Sequence, residues 1–442
     1  MLHRAWLPVL LSALLTAQAS LASETAPQIP EEEYTLERCL LLALECSASM
    51  DESRELVVAA GERVGAASAA RLPRLDAGAH YRYASEVMEH RIEMPGLGGI
   101  DLRFGDGHQT DINLGISFPL YTGGRVGRIQ EAEEAGLLAA RFREAATARE
   151  LFRDVRRAYF EVLGREAQLE VVNLGIRRLE RRLESLRGAR VQESATEEDV
   201  LRVRSRLLEA EQSRHRAEAG LEASSLQLGR LIGQVEKAIR PLGDLKISLM
   251  ADLDSEDLAP SQALQRPELL ALGEDIHRQS KLAESAASAL RPSLYGDLRG
   301  HYGRPGVDLL ENEWMGYATA GLTLNWTLWD GGAGKHERGQ FSAQARRLEA
   351  RREETTRAIR TARASASALL ESSRRELENS NERVRVEAAI LEKVSHRLQL
   401  AQASENELLD AQDDLNKAEQ DRVLALIQLR KAEAELLWTL GL

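Results

Sequence analysis

Asp111-Ile112-Asn113-Leu114-Gly115-Ile116-Ser117-Phe118-Pro119-Leu120-Tyr121 runs directly into Thr122-Gly123-Gly124, and a helical pattern then continues to about residue 192. Ile112, Leu114, Ile116, Phe118 and Leu120 point one way; Asp111, Asn113, Gly115 and Ser117 point the other. That period of two is a β-strand with one apolar and one polar face. The helical pattern behind it would be about 100 Å long at 1.5 Å per residue. Ordinary globular domains do not feed a short strand into so long a helix, so this junction sets the architecture.

Working outward, a second strand is predicted upstream over about 74–83, with Leu75, Ala77, Ala79, Tyr81 and Tyr83 on one face. A polar loop over 84–109 joins the two strands into a hairpin. A helix over about 35–70 precedes them, stopped by Arg71-Leu72-Pro73. Downstream, the long helix spans about 125–192 and a return helix about 197–232, followed by a linker over 241–265 with a short β-like stretch from Leu245 to Met250.

The same order then recurs: helix about 266–290, strands about 293–303 and 318–329, long helix about 333–402 and final helix about 405–440. Leu120-Tyr121-Thr122-Gly123-Gly124 answers Leu328-Trp329-Asp330-Gly331-Gly332. Tyr121 and Trp329 stand 208 positions apart, and so do Leu201 and Leu409. Two distant anchors sharing one offset indicate a duplicated unit, with repeats over 34–240 and 266–442. In the last helix Leu408, Ala411, Leu415, Ala418, Arg422, Ala425, Leu429, Ala432 and Leu436 keep a 3-4 spacing, a seam of large and small residues suited to knobs-into-holes packing. A second stripe through Leu409, Val423, Ile427 and Leu437 calls for neighbours on two sides.

The bulk numbers agree with long helices: 442 residues, 4% aromatic and 29% charged. A net charge of −12 with no separate basic stripe excludes nucleic acid as the expected partner. Cys39 and Cys46, seven positions apart in one predicted helix, are too far apart for a disulfide. Arg4, the apolar run from Trp6 to Leu15 and the small residues up to Ala22 read as a secretory signal peptide over 1–22. No apolar run long enough for a transmembrane helix follows it, so insertion would have to be as a β-barrel. Four strands cannot close one, since small barrels have about eight, and open edges are not tolerated in lipid. The chain is therefore expected to oligomerise. The alternative is a soluble sheet capping a coiled coil, which leaves Tyr81, Tyr83, Phe118, Tyr302, Trp326 and Leu328 with nothing to cover them.

The duplicated layout, Arg266-Pro267-Glu268, Tyr121-Thr122-Gly123-Gly124, Trp329-Asp330-Gly331-Gly332, and Ser404 with Leu408-Leu409-Asp410-Ala411-Gln412 together resemble TolC-type outer-membrane efflux proteins over about residues 34–442. The resemblance implies a mixed α+β membrane protein: a homotrimer whose 12-stranded transmembrane β-barrel continues into a long periplasmic α-helical coiled-coil barrel. It implies an outer-membrane exit duct for a tripartite efflux system, with a periplasmic adaptor, an inner-membrane pump and outer-membrane lipid as partners. Two other functions are compatible with the residues: an exit duct for type I protein secretion, and a periplasmic coiled-coil scaffold without channel activity.

The helix-return points would form the periplasmic end. Thr196-Glu197-Glu198-Asp199 and Ser404-Glu405-Asn406-Glu407 are capping boxes, in which the acid bonds back to the cap. That alone accounts for Asp199 and Glu407. The resemblance adds a gate lined by acids at Glu407 and Asp410, with Asp199 nearby, and Asp410 has no capping duty. It also places adaptor contacts at Glu193, Ser194, Ala195 and Thr196, and at Ala401, Gln402, Ala403 and Ser404. The family's usual Gly-Leu before each tip is replaced here by Glu193-Ser194 and Ala401-Gln402, a more polar surface. Gly123, Gly124, Gly331 and Gly332 are expected to turn the chain from barrel into helix. Gly123 to Gly127 imitates a dinucleotide loop, but its helix is too long for a βαβ unit. Gly331 to Lys335 imitates a phosphate loop without its spacing. The nine histidines show no paired metal spacing. No enzyme, cofactor or metal site is expected.

Overall fold

The computed structural model describes residues 34–87, 89–94, 98–103, 107–191, 195–250, 266–307, 313–400 and 402–441. The predicted signal peptide lies outside these residues. In chain order the elements are helices α1 (Leu36–Cys46) and α2 (Ala48–Ala69), strands β1 (Arg74–Tyr83), β2 (Glu89–Met94), β3 (Gly98–Arg103) and β4 (His108–Tyr121), and helices α3 (Arg125–Val191) and α4 (Glu197–Leu231). Then come α5 (Pro267–Ala286), β5 (Ser293–Arg304), β6 (Met315–Asn325), α6 (Ala333–Gln399) and α7 (Glu405–Leu440). Among the described residues no helix is long and apolar enough to cross a membrane.

β1, β4, β5 and β6 form one antiparallel sheet in that order. The register aligns one apolar face across all four strands: Ala79, Ile112, Tyr302 and Gly316 stand opposite one another in turn. This face is open. Leu114 is 56% and Leu322 73% exposed, with Leu75, Tyr81, Leu298 and Leu324 equally uncovered. The opposite face is polar and densely bonded. Asn113, only 6% exposed, donates to Asp111 Oδ2 at 2.7 Å and accepts from Arg299 Nη1 at 3.1 Å. His301 Nδ1 lies 3.0 Å from Asp111 Oδ1, and the imidazole stacks on Tyr317 at 4.7 Å. A soluble sheet has the opposite polarity. Uncovered apolar residues against a satisfied polar interior are the pattern of a strand wall between lipid and a water-filled lumen.

The helices bury their apolar faces in the ordinary way. The main core joins Cys39 and Leu42 of α1, Val155, Tyr159 and Phe160 of α3, Leu228 of α4 and Ile427 of α7. Gly164 lets α3 and α7 cross closely, since a Cβ there would fall 2.2 Å from Ile427 Cγ1. Both predicted stripes of α7 are buried except at Arg422, which is exposed, with Leu415, Ala418, Leu429 and Ala432 on one and Leu409, Val423, Ile427 and Leu437 on the other. Cys39 is buried and Cys46 exposed, and both are free thiols.

Four expectations are corrected. The single helix over 35–70 is two helices, broken at Ser47, whose backbone is extended (φ −79, ψ 127). The break makes room for the turn at Gly233, where a Cβ would fall 2.4 Å from the Cys46 carbonyl oxygen. The loop over 84–109 contains the antiparallel hairpin β2–β3. The last strand ends at Asn325 instead of reaching 329, because Trp326 turns away to donate its Nε1–H to the Leu290 carbonyl at 3.1 Å. Leu245 to Met250 forms turns, not a strand. A buried pair on α7 straps it down. Arg430 Nε donates to Leu245 O at 2.9 Å and Nη2 to Lys246 O at 2.8 Å, while Glu433 accepts from Ser248 Oγ and Leu249 N. Arg430 and Glu433 themselves meet at 2.6 Å. Each charge is compensated by the other and by backbone groups, the condition for keeping an ion pair out of water.

Candidate functional site

The two helix-return points lie side by side at the end of the helical body remote from the sheet. Each begins with a polar cap. Thr196 Oγ1 accepts from the Asp199 backbone N–H, and the Asp199 carboxylate accepts from the Thr196 N–H at 3.2 Å. Ser404 and Glu407 repeat the arrangement, both distances being between 3.2 and 3.3 Å. Reciprocal capping satisfies two helix-end donors that would otherwise lack partners. Glu407 has a second role: its other oxygen lies 3.3 Å from Arg397 Nη1 of α6. Arg397 also donates to Gln402 O at 2.8 Å, which closes the α6–α7 turn.

Arginines tie the two hairpins together. Arg182 of α3 forms an ion pair with Glu405 of α7. Arg178 reaches Glu419 at 3.1 Å and Asn416 at 2.9 Å. From α4, Arg202 reaches Asn406 at 2.5 Å and Arg206 reaches Asp413 at 3.4 Å. Half-buried pairs of this kind set the orientation of the helices more than they add stability. Asp410 stands outside the lattice. It is exposed and, among the described residues, its carboxylate makes no ion pair or hydrogen bond. Its charge bears on Asp413 one turn further along. Burial chiefly, and then the Asp410 and Glu209 carboxylates, raise the Asp413 carboxyl above the usual range against the opposing pull of Arg206 and Lys417. Charges crowded in this way are where pKa values depart from normal.

The structure thus brings Asp199, Glu407 and Asp410 to one end, and there Ala195, Thr196, Gln402, Ala403 and Ser404 form the turns. Glu193, Ser194 and Ala401 lie outside the described residues. Asp413, Arg206 and the arginine lattice were not singled out from sequence. The spacing of Glu407, Asp410 and Asp413, three positions each on one helix face, was the available signal for Asp413.

At the other end of the long helices, Gly123, Gly124, Gly331 and Gly332 all have φ between 64 and 91, a left-handed backbone that side chains resist. Asp330 caps the second turn, accepting from Gly332 N at 2.8 Å and Gly334 N at 2.7 Å, and these N–H groups hold its carboxyl below the usual range. No cluster of metal-ligating side chains occurs among the described residues.

The arrangement is a wall with a lipid-facing sheet, a long helical body and an acidic tip. A family described as outer membrane efflux protein matches residues 40–234 and 259–442. No curated protein matches the chain by sequence. Among solved structures, a membrane protein from Pseudomonas aeruginosa is similar at 19% identity and a TM-score of 0.76, over 95% of this chain and 99% of that one. VceC of Vibrio cholerae is similar at 16% identity and 0.75, over 92% and 96%. The open state of the Neisseria gonorrhoeae MtrE channel is similar at 19% and 0.74, over 92% and 89%. At such identities these likenesses show a shared fold.

Proposed function

The chain belongs to the outer membrane efflux protein family, and from that premise we propose that three copies close a twelve-stranded pore whose acidic tip is its periplasmic gate. The protein is a non-enzymatic channel of the Gram-negative outer membrane with a periplasmic extension. Proteins of the family form trimeric channels within tripartite efflux systems. The observation that carries the proposal is the inverted sheet: an open apolar face, a bonded polar face, and outer edges on β1 and β6 with no strand beside them among the described residues. Lipid does not tolerate such edges, and three four-stranded sheets joined edge to edge remove them. A periplasmic scaffold would have no use for the exposed face.

At the tip, Asp410 of each copy would recur three times about the axis. A ring of carboxylates favours cations and disfavours anions. Glu407 is held by its cap and by Arg397, and Asp199 by its cap, so Asp410 is the freer charge. The turns at Ala195 and Thr196 and from Gln402 to Ser404, with the neighbouring Glu193, Ser194 and Ala401, are the proposed surface for a periplasmic adaptor that joins the duct to an inner-membrane pump. We also read residues 1–22 as the export signal and 34–240 and 266–442 as the two repeats. Planar-bilayer conductance of the detergent-purified protein tests the gate. Small cation-selective steps that grow in Asp410→Ala are expected. Selectivity and block by multivalent cations unchanged in Asp410→Ala would remove this residue from the gate.

A further inference from the structure

Where the sheet hands over to the long helices, the charge of the chain reverses. The protein as a whole carries −12, but the four segments that meet at this level, 68–76, 119–128, 288–296 and 326–338, hold seven basic residues against three acids. Two of those acids are engaged: Asp76 pairs with Arg74 at 2.7 Å, and Asp330 caps the turn into α6. The excess falls at the helix starts. Neither α3 nor α6 has an acid in its first turn; α3 has Arg125 and Arg128 there, and α6 has Lys335. α4 and α7, which start at the opposite end of the molecule, carry Glu197, Glu198 and Asp199, and Glu405 and Glu407. Positive side chains at the positive end of a helix are unfavourable unless an anion comes to them.

A cavity of about 320 Å³ lies at this level, between the end of α2 and the turn from β4 into α3. Leu120, Tyr121 and Val126 form its apolar side, Thr122 and Arg71 its polar side. Leu120 and Tyr121 are half-exposed and bring the open apolar face of β4 down to its rim. Arg71 belongs to the link between α2 and β1, and its guanidinium is seated on α3. A Cβ built at Gly127 would fall 2.9 Å from Arg71 Nη2, so glycine there leaves room for it. Among the described residues, the side chains of Arg71 and Arg125 make no hydrogen bond or ion pair. Arg128, on the same turn, is matched by Glu284. No carboxylate lines the cavity. Tyr121 and, at the equivalent position of the second repeat, Trp329 stand on the sheet side of the two turns, and Trp329 is 83% exposed. Uncovered aromatic rings at the end of a lipid-facing strand mark the headgroup level, which sets Arg71 at the depth of lipid phosphates.

We propose that this cavity holds the headgroup of an anionic glycerophospholipid from the periplasmic leaflet of the outer membrane, with its phosphate on Arg71 and Arg125 and the first part of an acyl chain against Leu120 and Tyr121. This rests on the membrane reading of the sheet and adds a specific ligand to it. Arg71 supplies a planar fork that matches two phosphate oxygens. Arg125, between the lining residues Gly124 and Val126, supplies a second charge. A zwitterionic headgroup fits less well, because its ammonium would meet two arginines and no carboxylate. A free phosphate would leave the apolar wall uncovered. The lipid brings to the start of α3 the negative charge that its own first turn lacks, and fixes the depth at which sheet and helices join.

Native mass spectrometry of the full-length, detergent-purified protein tests the site, with dioleoylphosphatidylglycerol set against dioleoylphosphatidylcholine, which has the same chains. The expected result is a preference for the anionic lipid of about tenfold or more. Arg71→Gln with Arg125→Gln should reduce its binding to the level of the zwitterionic lipid, and Arg71→Lys should retain part of the preference. Arg375→Gln, which removes an exposed charge midway along α6, should leave it intact. Inorganic phosphate in millimolar excess should not displace the lipid. Equal binding of the two lipids by the parent overturns the proposal without any variant. A preference that survives Arg71→Gln with Arg125→Gln places the lipid elsewhere and overturns this site. Displacement by phosphate makes it a site for a free anion and overturns the lipid. Planar-bilayer conductance of the same preparation in neutral lipid keeps the two readings apart. A parent that conducts without preferring the anionic lipid loses the headgroup site alone, whereas one that does not insert loses the membrane reading beneath it.

Discussion

The sheet and the helical body are made of the same kinds of residue, arranged with opposite polarity. In the body, Val155, Phe160, Leu228 and Ile427 are packed away and charges face out. In the sheet, Leu114, Leu298 and Leu322 are bare, while Asp111, Asn113, Arg299 and His301 satisfy one another on the covered side. The difference teaches that burial is defined by the solvent. A residue open to the outside of this sheet is buried once lipid surrounds it, and the hydrophobic effect then drives insertion instead of collapse.

The sharpest way to break that comparison is a charge on the bare face. Leu114→Arg should abolish assembly in the outer membrane, since an arginine near the midplane of a barrel wall costs about 2–4 kcal/mol per copy. Fractionation of membranes would show the protein lost from the outer-membrane fraction; normal assembly would mean that the face does not meet lipid.

In the helical body the largest single effect should come from the strap. Glu433→Ala leaves Arg430 buried without its partner, which costs about 3–5 kcal/mol. Chemical denaturation followed by circular dichroism should show the loss, with membrane insertion retained. A change under about 1 kcal/mol would mean that water reaches the pair.

Smaller effects belong to the tips. Thr196→Ala and Ser404→Ala each remove a cap worth about 1 kcal/mol. Amide exchange should quicken in the first turn of α4 or α7 and nowhere near the sheet; equal quickening throughout would show that the caps hold more than their own ends.

The subtlest test is the pH dependence of Asp413. Its carboxyl is raised in the folded protein, so the folded state holds the proton more tightly than the unfolded state does. Stability contributed by this group therefore falls as pH rises from the ordinary aspartate value of about 3.9 through the raised one. Asp413→Asn should be more stable than the parent at neutral pH, and the advantage should vanish below the ordinary aspartate range. Thermal melts at several pH values would reveal it, and an advantage independent of pH would assign it to packing.

Much of this architecture is visible along the chain. The alternation in Ile112, Leu114 and Ile116, the stripes of α7, the paired glycines and the offset of 208 are short-range or repeating signals. The capping boxes are local as well, because their hydrogen bonds span three residues. The break at Ser47 was hidden because neither glycine nor proline marks it; the cause is a turn at Gly233, far along the chain. The β2–β3 hairpin was hidden because its strands are only six residues each, lie around Pro95 and Gly96, and begin on the second side with Gly98 and Gly99, all of which read as loop.

By itself, the sequence determined the elements, their duplication and the polarity of each strand, since these follow from periodicity and from which backbone angles glycine permits. Tertiary structure alone decided which charges meet. Arg182 finds Glu405 across 223 positions, Arg206 finds Asp413, and Arg430 with Glu433 captures the linker. The first two contacts depend on how helices are placed side by side and the third on where the linker crosses α7, and an arginine or a carboxylate carries no mark in the sequence of the distant partner that the packing brings to it.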